Sequence, residues 1–233
     1  MRTLSALIAE LTRLFTLADL VALALFVATT LAMTLVIEHP PARRPSVARL
    51  MERHRRAWME SFAKREMRIF DASLLTTLRS GTSFFASTCL IAVGGVAALL
   101  GQTERILGVV RDLGGQPGVA AAAIWEAKLI AILVLLVQAF LKFVWSHRLF
   151  GYCAVMMGSM PDPGDSATVD RATRLQFSAA RSFNRGLRTI YFTLAAMTWF
   201  LGPVPLMVAT LLTAAMLARR EFFSESRRAL VAD

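Results

Sequence analysis

Charge is scarce in this chain, and most of it falls between apolar blocks. Only 18% of the 233 residues are charged and 56% are hydrophobic, where a soluble domain carries about 25% and 45–50%. That shortage argues against a water-soluble globule. Cysteine is nearly absent: Cys89 lies inside one apolar block and Cys153 just past another, which leaves no disulfide framework and no paired-thiol metal spacing. The three histidines, His39, His54 and His147, stand in separate segments and match neither a metal spacing nor a nucleophile–base pattern. No glycine-rich phosphate loop occurs, so nucleotide hydrolysis has no support. Asp71 and Glu66 have no partner that would give them an acid–base role. The sequence therefore nominates no catalytic residue, no metal and no cofactor, and an enzyme is the weaker reading. Acidic residues are also few, leaving a net charge of +10. The arginines sit between apolar blocks rather than on one basic face, which points to cationic loops of a membrane protein and not to nucleic acid binding.

What the chain does have is long apolar runs. A helix needs roughly 20 apolar residues to cross about 30 Å of hydrocarbon. Four blocks qualify: Thr16 to Ile37, Thr82 to Gln102, about Ala120 to Trp145, and Thr189 to Ala218. The first is uncharged over Leu20 to Ile37 and has no small-x-small cleavage site after it, so it reads as a retained span and not a signal peptide. Trp125 and Trp145 lie 20 residues apart in the third block, about 30 Å on a helix, the spacing of aromatic anchors at two interfaces. The expected fold is all-α: a membrane-embedded bundle of about four transmembrane helices in one domain, with amphipathic cytoplasmic helices over about 46–71 and 168–188.

Positive charge orients the set. Ten Lys/Arg separate the first two blocks, six separate the last two, and Arg105 and Arg111 alone stand between the middle pair. The basic connections are therefore expected in the cytoplasm and the N-terminus outside. Four spans would put the C-terminal tail outside too, although it carries Arg219, Arg220, Arg227 and Arg228. Gly202-Pro203-Val204-Pro205 interrupts the fourth block. One long kinked span is the favoured reading. A re-entrant hairpin is the alternative, disfavoured because each half would hold only about 13 apolar residues.

In the first cytoplasmic segment Val47, Met51, His54, Trp58, Phe62 and Ile69 form an apolar stripe opposite Arg49, Arg53, Arg56, Glu60, Lys64 and Arg68. Such a helix either lies on anionic headgroups or packs on the other cytoplasmic segment. That other segment follows the turn cluster Asp162-Pro163-Gly164-Asp165-Ser166 and carries Arg171, Arg174, Ser178, Arg181, Arg185 and Arg188 on one stripe. In the second span Ser80, Ser83 and Ser87 share a face that Gly94, beside Gly95, continues. Small residues so placed permit close helix packing or line a pore. Lys142, Trp145 and Arg148 recur at the inner end of the third span, as interfacial anchors or as a cationic vestibule. Asp19 and Glu126 need partners if they face inward, and Lys128 is one candidate.

Several motifs together resemble a known family. Phe70 to Leu75, Ser83 to Thr88, Gly94-Gly95, Lys142 to Arg148, Asn184 to Arg188, Thr198-Trp199-Phe200 with Pro203, and Arg219 to Ser224, which contains Arg220 and Glu221, are similar in order and spacing to domain-of-unknown-function family 599. His147 departs from that pattern, where a small or polar uncharged residue, or a second basic one, is expected. The resemblance implies a bacterial-type inner membrane protein of about four spans and brings no activity with it. It also implies that Asp71 and Arg148 lie near the cytoplasmic interface, as a structural clasp or part of a gate. Two roles stay open: a small homo-oligomeric channel or transporter, or a non-transporting accessory subunit that binds anionic lipid or a larger membrane complex.

Overall fold

The computed structural model describes residues 15–41, 43–112, 121–161 and 164–231. The turn at Asp162-Pro163, residue 120 at the start of the third apolar block, and the Arg111 side chain lie outside that description. Every regular element among the described residues is helical. In chain order they are α1 (Leu17–Glu38), α2 (Val47–Phe62), α3 (Ile69–Leu100), α4 (Thr103–Asp112), α5 (Ala121–Gly158), α6 (Ser166–Met197), a 3₁₀ turn (Thr198–Leu201), α7 (Pro203–Phe222) and α8 (Glu225–Val231).

Local chemistry explains the starts. Thr16 and Asp19 form a capping box at α1, Ser46 caps α2, and the Asp165 carboxylate accepts from the Thr168 N–H at 2.8 Å at the head of α6, each satisfying N–H groups that the first helical turn leaves open. The Thr168 hydrogen bonds hold the Asp165 carboxyl below its ordinary value.

α1, α3 and α5 are long and apolar enough to cross a membrane. α3 has 32 residues and α5 has 38, about 48 and 57 Å of helix, so each extends well past a hydrocarbon layer of about 30 Å. The helix carrying the 82–102 block thus begins at Ile69, and the one carrying the third block runs on to Gly158. These extensions build a second core at one end, where Leu149, Phe150, Cys153 and Met157 of α5 meet Met59 and Phe62 of α2 and Val169, Ala172 and Ala179 of α6. This arginine-rich end is the basic end. The opposite, far end carries Asp19, Lys128 and Trp199.

α2 ends at Phe62, so the helix expected over 46–71 is two helices: residues 69–71 open α3. Of the two readings of α2, packing on the second basic segment is what occurs, since Arg56 pairs with Asp170 and Arg181 with Glu52 across α2 and α6.

The favoured single kinked span over 189–218 does not form. α6 stops at Met197, Gly202 has φ +123°, and α7 begins at Pro203. A positive φ of this kind is open to glycine and strained for other residues, and proline at the first helical position starts the next helix. α7 then runs back along the bundle, which places Arg220 Nη1 2.8 Å from the Tyr191 hydroxyl. The two arms are longer than the uncharged halves of that block: α6 continues unbroken from the basic segment, and α7 has 20 residues of its own.

α5 and α6 form the closest pair. Ser146 and Ser182 donate to the carbonyls of Ala179 and Lys142, each at 2.8 Å, and Phe143 packs over Gly186. A Cβ built at Gly186 would stand 2.7 Å from the buried Phe143 ring. Gly186→Ala is therefore expected to lower stability by about 1–3 kcal/mol through overpacking, read as a lower thermal midpoint in detergent. Adding Phe143→Leu should recover part of the loss, and a double variant no better than Gly186→Ala would refute this assignment.

Candidate functional site

Four helices converge at the basic end around a chamber of about 260 Å³, lined by Glu38 of α1, Arg49, Glu52 and Arg55 of α2, Arg181, Asn184 and Arg188 of α6, and Arg220 and Glu221 of α7, among others. Helical periodicity puts them there. Arg49, Glu52 and Arg55 stand three residues apart on one face of α2, and Arg181, Asn184 and Arg188 stand at three- and four-residue steps on α6. Five arginines face three glutamates in the lining.

The carboxylates are already engaged. Glu38 is held by Arg185, whose Nε donates at 2.7 Å, and by Arg188. Glu52 takes Arg181 at 3.3 Å and Arg49. Glu221 accepts the Ala48 N–H at 3.1 Å. The surplus cations have neutral partners: Arg220 donates to the Tyr191 hydroxyl, and Arg55 to Gln176 Oε1 at 3.2 Å. Burial pushes the Arg55 guanidinium below its ordinary value, opposed by the Cys153 thiol and by Glu52. Two donors in this region lack any partner among the described residues: Arg188 Nε, on a side chain 8% exposed, and Gln176 Nε2, on a fully buried residue. A second hollow adjoins the chamber, sharing Glu38, Arg49 and Arg181 and adding Arg53 and Arg185.

The residues nominated from sequence scatter. Arg220 and Glu221 line the chamber. Asp71 is fully buried and its Oδ1 accepts from Trp58 Nε1 and Arg65 Nη1, both at 2.6 Å, so it clasps the α2–α3 junction. The pairing with Arg148 does not occur; Arg148 donates to the Tyr152 hydroxyl at 2.9 Å on the surface. Lys142 turns inward and donates to Thr189 at 2.7 Å, whereas Trp145 and Arg148 are exposed. These three therefore share no vestibule. Ser80, Ser83, Ser87, Gly94 and Gly95 all lie on the exposed side of α3, and nothing approaches either glycine. The buried side of α3 is instead Asp71, Leu75, Thr82 and Cys89, so among the described residues the small-residue face touches the rest of the chain through Ser83 on His147 and is otherwise open.

At the far end Trp199 joins what sequence had left apart. Its Nε1 donates to Asp19 Oδ1 at 2.8 Å, and its carbonyl accepts from Lys128 Nζ at 2.9 Å. Glu126 is exposed. His147 was given no role from sequence. Its Nδ1 lies 3.1 and 3.2 Å from the hydroxyls of Thr82 and Ser83 and ties α3 to α5. Glu38 and Arg55 of the lining were missed as site residues; the arginine stripe on α6 was the one signal that pointed to them. Among the described residues no group of acidic, histidine and cysteine side chains could hold a metal ion.

Three membrane-length apolar helices, two helical arms folded beside them and a buried ionic cluster at one end define a helical membrane protein. The chain belongs to the family described as Protein of unknown function, DUF599, whose model matches residues 21–226, as the motifs resembled. That match takes in the whole chamber. No curated protein and no solved structure matches the chain.

Removing the carboxylate that two guanidiniums share leaves Arg188 buried and uncompensated. Glu38→Gln is expected to cost about 3 kcal/mol, read from thermal unfolding in detergent. Glu225→Gln, which breaks the exposed pair with Arg228, should change stability by less than about 1 kcal/mol. Equal small effects from both would refute the proposed weight of Glu38.

Proposed function

We propose that the chain is a self-associating multi-pass protein of the bacterial inner membrane that serves as a non-transporting assembly subunit, anchored to anionic lipid by its basic end. The observation that carries this reading is the outward face of α3. Ser83, Ser87, Gly94 and Gly95 are exposed on a helix of crossing length, and small and hydroxyl-bearing side chains so placed favour a second helix over lipid. A second copy of this chain supplies one.

The hairpin supports a single orientation. The last crossing becomes two, giving five: α1, α3, α5, the end of α6, and α7. The positive-inside bias then accounts for every basic segment with the N-terminus outside, since Arg219, Arg220, Arg227 and Arg228 return to the same end as α2. The expectation of an external tail was a consequence of the single kinked span and is withdrawn with it. Ser226→Cys, at an exposed site, should react with an impermeant thiol reagent in inverted vesicles and not in intact cells. Labelling from outside would overturn the five-crossing arrangement.

Mass measurement in nanodiscs should give a dimer or larger, and Ser87→Leu combined with Gly94→Leu should shift the population toward monomer. A wild-type monomer at all lipid ratios would sink the assembly reading. Selective ion flux through reconstituted wild-type protein would replace it with a channel formed between subunits, with Ser83, Ser87 and His147 near the shared axis.

A further inference from the structure

We infer that the chamber between α1, α2, α6 and α7 is a binding site for a phosphate ester anion, with Arg55 and Arg188 of its lining as the recognising residues and Gln176 as the residue that positions Arg55. The placement beside a lipid headgroup layer rests on the orientation proposed above; the chemistry of the site does not.

Glu38 and Glu52 each hold two guanidiniums, and Glu221 is bonded to a backbone N–H. Arg55 reaches no carboxylate among the described residues and has only an amide oxygen. Guanidinium groups recognise phosphate oxygens through paired N–H donors in a fixed fork, so a half-buried arginine with a neutral partner is suited to an anion. The unpartnered donors sharpen this. Arg188 Nε and Gln176 Nε2 are both buried without an acceptor, and a buried donor left unmade is costly enough to be rare. Arg188 lines the chamber, whereas Gln176 lies about 18 Å away along α6, behind the lining, and holds Arg55 by its amide oxygen.

Size and depth narrow the ligand. About 260 Å³ lies at or below the lower end of small-ligand sites, which suits a phosphate with a short polyol and excludes a nucleotide. Glu38 is both the last residue of an apolar helix and part of the lining. The chamber therefore stands at the level where that helix leaves the apolar layer. The adjoining hollow with Arg53 and Arg185 offers a polar route in. Two sources supply the shared chemistry: the headgroup of an anionic phospholipid, and a soluble phosphate ester or free phosphate.

The test uses the full chain in nanodiscs containing phosphatidic acid, phosphatidylglycerol or phosphatidylcholine alone, and in detergent with inorganic phosphate or sulfate. The readouts are retained lipid per chain by native mass spectrometry and the ligand-induced shift in thermal midpoint. Wild type should retain anionic phospholipid over phosphatidylcholine, or be stabilised by phosphate over sulfate. Arg55→Gln should weaken that retention or stabilisation by at least about tenfold, the loss of one charge-assisted hydrogen bond. Arg171→Gln, at an exposed position on α6, should leave it unchanged. Gln176→Glu adds a carboxylate beside Arg55 without removing a cation; it should abolish binding and leave the ligand-free midpoint equal or higher, which guards against a misfolded Arg55 variant. Preference for phospholipid alone identifies a headgroup site, and response to phosphate in detergent identifies a soluble ester; either supports the proposal. No preference for phosphate in any form, or binding that survives both Arg55→Gln and Gln176→Glu, overturns it. Binding by a protein that proves monomeric would end the assembly reading and leave the chamber standing.

Discussion

Glu38 closes an apolar helix, and its carboxylate is gripped by two guanidiniums from a helix that is polar for most of its length. An isolated guanidinium buried as deeply as Arg188 would cost several kcal/mol. Pairing with Glu38 offsets that cost and lets α6 pass from the basic end into the apolar bundle without a break. Everything C-terminal follows from this. Because α6 enters as one continuous helix, the chain has length left to turn at Gly202 and return as α7. The return brings Glu221 onto the first turn of α2 and Arg227 to within 3.1 Å of the Pro45 carbonyl. The tail thereby braces the segment that Glu38 leads into.

The far end repeats the device with different groups. The Trp199 carbonyl accepts both the Gly202 N–H that closes the 3₁₀ turn, at 3.0 Å, and Lys128 Nζ, while the indole N–H goes to Asp19. The hairpin tip is thus fixed to α1 and α5 at once, and Phe15 stacks on the indole at 5.3 Å. α3 is attached differently. It packs chiefly on α5, through Thr82 and Ser83 on His147 and through Phe85 stacked on Phe143 at 5.3 Å. The side of α3 that carries Ser80, Ser87, Gly94 and Gly95 is exposed among the described residues. A helix held along one side is the natural element to meet a second copy.

Sequence revealed the apolar blocks because hydrophobic run length is a local property, and it revealed the basic stripes because helical spacing is local too. It failed where the deciding partner is distant. Arg188 reads as the end of a cytoplasmic helix until Glu38, 150 residues away, is seen to accept it. Counting uncharged residues therefore set the inner limit of the last block too high and made a hairpin look too short. The Ser80, Ser83, Ser87 face was correctly identified as a face, but periodicity does not say which way a face points. Asp71 was read with Arg148 as a clasp or part of a gate, yet its partners are Trp58 and Arg65, because a six-residue loop folds Arg65 back over the first turn of α3. The family match over residues 21–226 adds membership without chemistry.

A net charge of +10 would by itself draw any anionic surface, and at physiological salt that attraction fades beyond about 8 Å. Exposed cations such as Arg148 and Arg171 contribute to that general pull and confer no selectivity. The chamber differs in kind. Its carboxylates each have a partner, its walls come from four helices fixed at both ends of the bundle, and the unpartnered N–H of Arg188 is shielded from water. Recognition there depends on where donors point, and the donors are held by the same Glu38 pairing that lets α6 enter the bundle. The interaction that makes the fold possible is therefore also the one that orients the site.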